Sequence, residues 1–76
     1  MDESESLELA VSMARLAVDS VALATRAVKA EALHGFRENF ADTLTDLGVH
    51  NQFQHHAAMC AFEVQVEMLV PGFEFD

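Results

Sequence analysis

The first segment of the chain, residues 6–34, constrains the fold most, because its apolar residues would cover most of the surface of a helix. It is rich in Ala and Leu and contains neither Gly nor Pro, so its helix propensity is high. A surface helix of a small domain has an apolar stripe only about 100° wide, and this one is much wider. We therefore expect one long helix that other helices cover on two or three sides. Its narrow polar stripe consists of Glu8, Ser12, Arg15, Asp19 and Arg26.

The length of this helix predicts a second copy of the chain. About 28 helical residues would span about 42 Å, whereas a compact chain of 76 residues has a radius of gyration of about 11 Å. The helix would protrude from a monomer, so we predict a homodimer that pairs the long helices, antiparallel, through their apolar flanks. The predicted dimer interface consists of Leu9, Met13, Ala14, Leu16, Ala17, Val21, Leu23, Ala24 and Val28.

Gly35, Gly48 and the pair Pro71-Gly72 divide the rest of the chain, which we interpret as a single domain, 1–76, with a short tail at 71–76. In residues 36–47, apolar side chains recur at i, i+4, i+8 and i+11. This spacing predicts an amphipathic helix that ends at Gly48. The apolar positions are Phe36, Phe40, Leu44 and Leu47.

The third segment, residues 51–70, fits two structures. Residues 62–68 alternate strictly between apolar and polar, which is typical of a strand and would give an α+β fold with a C-terminal strand or hairpin at 62–75. An isolated hairpin is marginal in water, and Glu, Gln, Met and Leu favour a helix. We therefore predict an all-α protein of three helices. One face of the third helix would hold Phe53, Ala57, Cys60, Val64 and Met68, and another Met59, Phe62, Val66 and Leu69.

The composition restricts the partners. Thirteen Asp and Glu against four Lys and Arg give a formal charge of -9, so we expect no direct binding to nucleic acid or to anionic lipid, but a basic protein partner. The acidic start, MDESES, does not resemble a signal peptide, and charged residues interrupt the apolar region 9–28, so we expect no membrane span. These features predict a cytoplasmic protein, in the host cytoplasm if a phage encodes it.

The stretch HHAAMC, residues 55–60, is the best candidate for chemistry. On a helix His56 and Cys60 are one turn apart, and imidazole with thiolate would suit zinc. One helix rarely supplies a full ligand set, and the chain has no second cysteine, so we expect structural packing and no cofactor. The sequence also lacks the groups that nucleophilic catalysis needs beyond a Cys–His pair, and we predict that the protein is not an enzyme.

Acidic residues repeat every fourth position on two predicted helices, at Glu38, Asp42 and Asp46 and again at Glu63 and Glu67. Like charges at this spacing disfavour a helix slightly. Such rows can imitate a phosphate backbone and occupy the nucleic-acid channel of a basic protein. The alternative is an ordinary solvated face that keeps an apolar small protein in solution.

The tail places Phe73 and Phe75 after a turn, alternating with acidic residues. Two exposed phenylalanines would form an aromatic anchor for a partner's pocket. Alternatively, they fold back over the helices as a lid.

These features together predict a small acidic, non-enzymatic interaction protein that binds and inhibits a basic partner, one that handles nucleic acid. Inhibitors of this style occur among phage proteins with anti-defence or anti-CRISPR-like roles. One alternative is a helical oligomeric subunit with a structural or assembly role. A second is a metal-binding or redox-sensing helical bundle centred on His56 and Cys60.

Overall fold

A computed structural model describes residues 1–75. Within these residues the chain forms three α-helices and no strand: α1 (Glu3–Ser20), α2 (Arg26–Asp46) and α3 (Gln52–Leu69). The predicted all-α fold of three helices is confirmed. Residue 76, the last of the predicted tail, lies outside the described residues.

The helices form an up-down-up bundle. The side-chain amide of Gln54, near the start of α3, donates to the backbone oxygen of Met1 at 3.0 Å and reaches the hydroxyl of Ser6 at 3.5 Å. The starts of α1 and α3 are therefore neighbours. The intervening helix, α2, runs in the opposite direction and returns the chain to the end of the bundle where α1 began. One end of the bundle thus holds the start of α1, the end of α2 and the start of α3.

Small residues let α1 pack most closely against α3. A row of buried positions on α1 recurs every three or four residues, and none of these side chains is larger than valine. Because short side chains allow two helix backbones to approach, the row fits directly against the facing helix. It consists of Ser6, Ala10, Ala14 and Ala17, and the buried C-cap residue Val21 continues it.

Larger side chains hold α2 against this pair. Leu33, Phe40 and Leu44 are fully buried and lie on one face of α2. Phe40 stacks on Phe62 of α3, which with Val66 completes the centre of the core.

The prediction of one helix over residues 6–34 is wrong, because the chain turns after Ser20. The Ser20 hydroxyl donates to the backbone oxygen of Ala17 at 2.8 Å, a local bond of the kind that competes with helix continuation. Thr25 then starts α2 as its N-cap, accepting from the backbone N–H of Val28 at 3.4 Å. Folding back shortens the molecule and leaves the apolar face of α1 to be covered mainly by α3, and the radius of gyration is 12.1 Å.

The predicted boundary at Gly35 is also wrong, because α2 runs through it from Arg26 to Asp46. Gly35 has no positive φ, so its backbone fits a helix. Gly48 does end the helical segment as predicted, with φ +87°.

The predicted helix over residues 51–70 is confirmed as α3. Asn51 caps it by accepting from the backbone N–H groups of Phe53 and Gln54, at 2.9 and 3.1 Å. The alternating residues 62–68 are helical, because Phe62 and Val66 are one turn apart and both enter the core.

The nine residues of the predicted dimer interface divide between core and surface. Ala14, Ala17 and Val21 are buried within one chain. These apolar residues therefore need no second copy to shield them from solvent. Leu9, Met13 and Ala24 are partly buried against the same core. The exposed members are Leu16, Leu23 and Val28. Dimerisation itself stays a prediction.

Candidate functional site: an acidic half of the bundle

Glu38, Asp42 and Asp46 lie on the outer face of α2, and all three are exposed. We call them the acidic row. Phe40 and Leu44, between them in sequence, point into the core, so the row faces directly away from it. Within residues 1–75 none of the three forms an ion pair. The helical rise separates successive carboxylates by about 6 Å along the axis.

The fold brings further carboxylates to the same half of the bundle. The first turns of α1 carry an acidic cluster at the end where α2 finishes. Asp2 has a structural role as the N-cap, accepting from the backbone N–H of Glu5 at 2.8 Å. Seven of the 13 carboxylates thus lie towards this end of the bundle, and Arg37, which precedes Glu38 and pairs with Glu63, lies beside them. We call this part of the bundle the acidic half: Asp2, Glu3, Glu5, Glu8, Glu38, Asp42 and Asp46.

Glu63 and Glu67, which were predicted to extend the acidic face, are engaged within the chain. Glu63 pairs with Arg37 of α2 and is partly buried. An oxygen of Glu67 accepts from the backbone N–H of Phe75 at 3.0 Å. The structure therefore separates these two carboxylates from the three of the acidic row.

The tail folds back over α2 and α3, and both of its phenylalanines are half-buried. The Phe73 and Phe75 rings meet edge-on at 4.9 Å, and the His34 ring packs edge-on against both, at 5.9 and 5.3 Å. The Arg37 guanidinium lies over Phe75, 5.9 Å from its centroid. This position corresponds to the lid, the alternative to a free aromatic anchor.

A groove of about 550 Å³ runs between the second half of α2 and the first half of α3. Glu38 lines it, whereas Asp42 and Asp46 do not, so the groove adjoins the acidic row at Glu38. Arg37 and three histidines, His50, His55 and His56, also line it, and Nε2 of His55 lies 3.3 Å from the backbone oxygen of Ala41. Sequence reasoning missed this groove, because its two walls come from different helices. The clustering of three histidines near one helix start was the available signal.

The opposite half of the bundle contains a second cavity, of about 530 Å³, between the start of α2 and the tail. Arg26, Lys29 and His34 line it, together with Phe73 and Glu74. Arg26 and Lys29, which take no part in the Arg37–Glu63 pair, therefore lie away from the acidic half.

The candidate metal ligands His56 and Cys60 are neighbours, with the imidazole Nε2 3.4 Å from the thiol Sγ. Glu63 and Glu67, the next potential ligands along the helix, have the partners given above. Within residues 1–75 no three His, Cys, Asp or Glu side chains cluster in a way that could hold a metal ion.

None of the helices in the described part of the chain combines the length and the apolar character needed to cross a membrane. Comparisons with family models, with curated proteins and with solved structures gave no significant match. The function must therefore be argued from the residues and their arrangement.

Proposed function

We propose that this chain is a small acidic, non-enzymatic interaction protein that binds a basic partner and blocks its nucleic-acid site. The acidic row carries the proposal. Its three carboxylates are exposed, without ion pairs in the described chain, and regularly spaced on a helix that the core holds in place. Such a row offers a basic surface a fixed series of negative charges, as a phosphate backbone does.

The distribution of charge supports this proposal. The seven carboxylates of the acidic half have Arg37 as their neighbouring basic residue, and Arg37 is already paired with Glu63. Arg26 and Lys29, in contrast, lie at the start of α2, at the other end of the bundle. A segregated charge of one sign steers an oppositely charged partner and orients its approach. The groove beside Glu38 adds a concave surface into which a partner's side chain would fit.

The free aromatic anchor has no part in this proposal. Phe73 and Phe75 are packed against His34, so they stabilise the tail. Glu63 and Glu67 are likewise assigned to holding α2 and the tail.

A displacement assay tests the proposal. An arginine-rich peptide is bound to a labelled DNA duplex, and the chain is titrated in at low salt. We expect the wild-type chain to release the duplex, and the triple variant Glu38→Gln, Asp42→Asn, Asp46→Asn to release it far less effectively.

The matched control removes three exposed carboxylates outside the acidic half: Asp19→Asn, Glu31→Gln and Glu74→Gln. Both triple variants lose three negative charges. A difference in displacement between them therefore shows that the location of the carboxylates matters, and not only the net charge. Equal displacement by the two variants would reject the acidic row as the binding surface.

A further inference from the structure

The outer face of α3 carries apolar side chains that the fold leaves uncovered. Phe53, Val64 and Met68 are 86%, 53% and 72% exposed. At 100° per residue, these three and two smaller side chains fall within about 80° of the helix circumference, opposite the buried face of α3. A contiguous exposed apolar patch marks an interaction site. We call it the α3 stripe: Phe53, Ala57, Cys60, Val64 and Met68.

The α3 stripe contains no charge, and the two carboxylates beside it are occupied. Glu63 pairs with Arg37, and Glu67 accepts from the tail. The five residues of the stripe offer a basic partner no carboxylate, so the stripe is unsuited to the partner of the acidic row. For a chain of charge -9, however, an uncharged face is where a second copy meets the least repulsion. At the acidic row, by contrast, two antiparallel copies would place Asp42 against Asp42.

The spacing of the stripe is self-complementary. Its positions are symmetric about a point between Cys60 and Ala61, so an antiparallel copy places Phe53 opposite Met68 and Ala57 opposite Val64. A two-fold interface requires this reciprocity, because every contact between two positions then occurs twice, once in each direction. The small side chains lie at the centre, where two helices crossing would approach most closely.

The flanking positions are compatible with the same register. His56 lies on the same flank of the stripe as Glu63 and Glu67, so the antiparallel copy would bring His56 beside these two carboxylates of the second copy. We propose that two copies of the chain associate through the α3 stripe, antiparallel, about an axis near Cys60. This pairing goes beyond the proposed function and leaves the acidic row outside the interface.

Sedimentation of the full chain over a dilution series tests the interface. We expect the wild-type chain to be a dimer that dissociates on dilution, and Val64→Glu to weaken association at least about 100-fold, because it would bury an unpaired carboxylate. The control is Leu16→Glu, which adds the same charge at an apolar α1 position that is 64% exposed. Leu16 belongs to the α1 interface predicted from sequence, so this control also separates the two interfaces.

A wild-type chain that stays monomeric at every concentration would overturn the proposal. So would dissociation by Leu16→Glu with Val64→Glu still dimeric. Circular dichroism checks that each variant remains helical. Should Val64→Glu unfold, Met68→Glu, at a more exposed position of the same stripe, replaces it with the same expected loss.

Thiol cross-linking tests the orientation. Two single-cysteine chains, Ala57→Cys and Val64→Cys, each also carrying Cys60→Ala, are mixed and treated with a short bismaleimide. Antiparallel pairing predicts that the cross-linked product joins one chain of each kind. Products joining only like chains would overturn the antiparallel arrangement.

Discussion

Phe40 of α2 lies over Phe62 of α3, with ring centroids 5.1 Å apart and ring planes inclined by 18°. Both rings are buried, and they join α2 to the close α1–α3 pair through large side chains. Because Phe40 and Leu44 point inward from α2, the acidic row must point outward. The core contact therefore sets the direction of the proposed binding surface.

The stacked pair predicts the largest loss of stability. Phe40→Ala should lower the free energy of unfolding by about 3–5 kcal/mol, since it removes a buried ring and leaves a cavity. Urea unfolding followed by circular dichroism measures this loss. Leu23→Ala, at a fully exposed position, should change the same quantity by less than about 0.5 kcal/mol. A loss below about 1 kcal/mol for Phe40→Ala would contradict the packing described.

The alanine face of α1 predicts sensitivity to added volume. Ala14→Leu should destabilise the chain by about 1–3 kcal/mol, because Ala14 is fully buried against α3. Ala27→Leu, at an exposed position of α2, is the control and should be nearly neutral. The loss should be the same at every protein concentration, as measured by urea unfolding. A loss that appears only at high concentration would place Ala14 between two chains.

Replacing Gly35 and Gly48 by alanine should change the free energy of unfolding in opposite directions. Gly35→Ala should raise the free energy of unfolding by about 0.5–1 kcal/mol, because Gly35 lies in a helix with open space around its Cβ position. Gly48→Ala should lower it by about 1 kcal/mol or more, because φ is +87° there. Thermal unfolding of the two variants compares them directly. Destabilisation by Gly35→Ala would indicate that α2 is interrupted at this residue.

The contact between Glu67 and the tail predicts a distinct response to two substitutions. Glu67→Ala removes the acceptor for the backbone N–H of Phe75, so this amide should exchange faster with solvent. Glu67→Gln keeps a side-chain oxygen and should preserve most of the protection. Hydrogen exchange followed by NMR measures both. Equal exchange in the wild type and in Glu67→Ala would mean that this bond does not hold the tail.

Local signals in the sequence predicted part of this fold. The third helix followed from its composition, and Gly48 correctly marked an end, because a positive φ favours glycine. The turn after Ser20 was missed, because high propensity on both sides concealed the Thr25 cap. Gly35 was overinterpreted, since a single glycine lowers helix propensity by only about 1 kcal/mol.

Some features of the candidate site could likewise be predicted from the sequence, and others could not. The exposure of the acidic row followed from its position opposite Phe40 and Leu44 on one helix. The pairing of Glu63 with Arg37 joins two helices across 26 positions of sequence, and no local pattern predicts such a contact. For the same reason the groove beside Glu38 emerged only from the packing of α2 on α3.

The salt dependence of binding tests the central claim most directly. The affinity of an arginine-rich peptide is measured by fluorescence anisotropy from low to high salt, for the wild-type chain and both triple charge variants. We predict that neutralising the acidic row lowers the affinity and flattens its dependence on salt, while neutralising Asp19, Glu31 and Glu74 leaves both nearly unchanged. Identical affinity and slope for all three chains would contradict the proposal that the acidic row binds a basic partner.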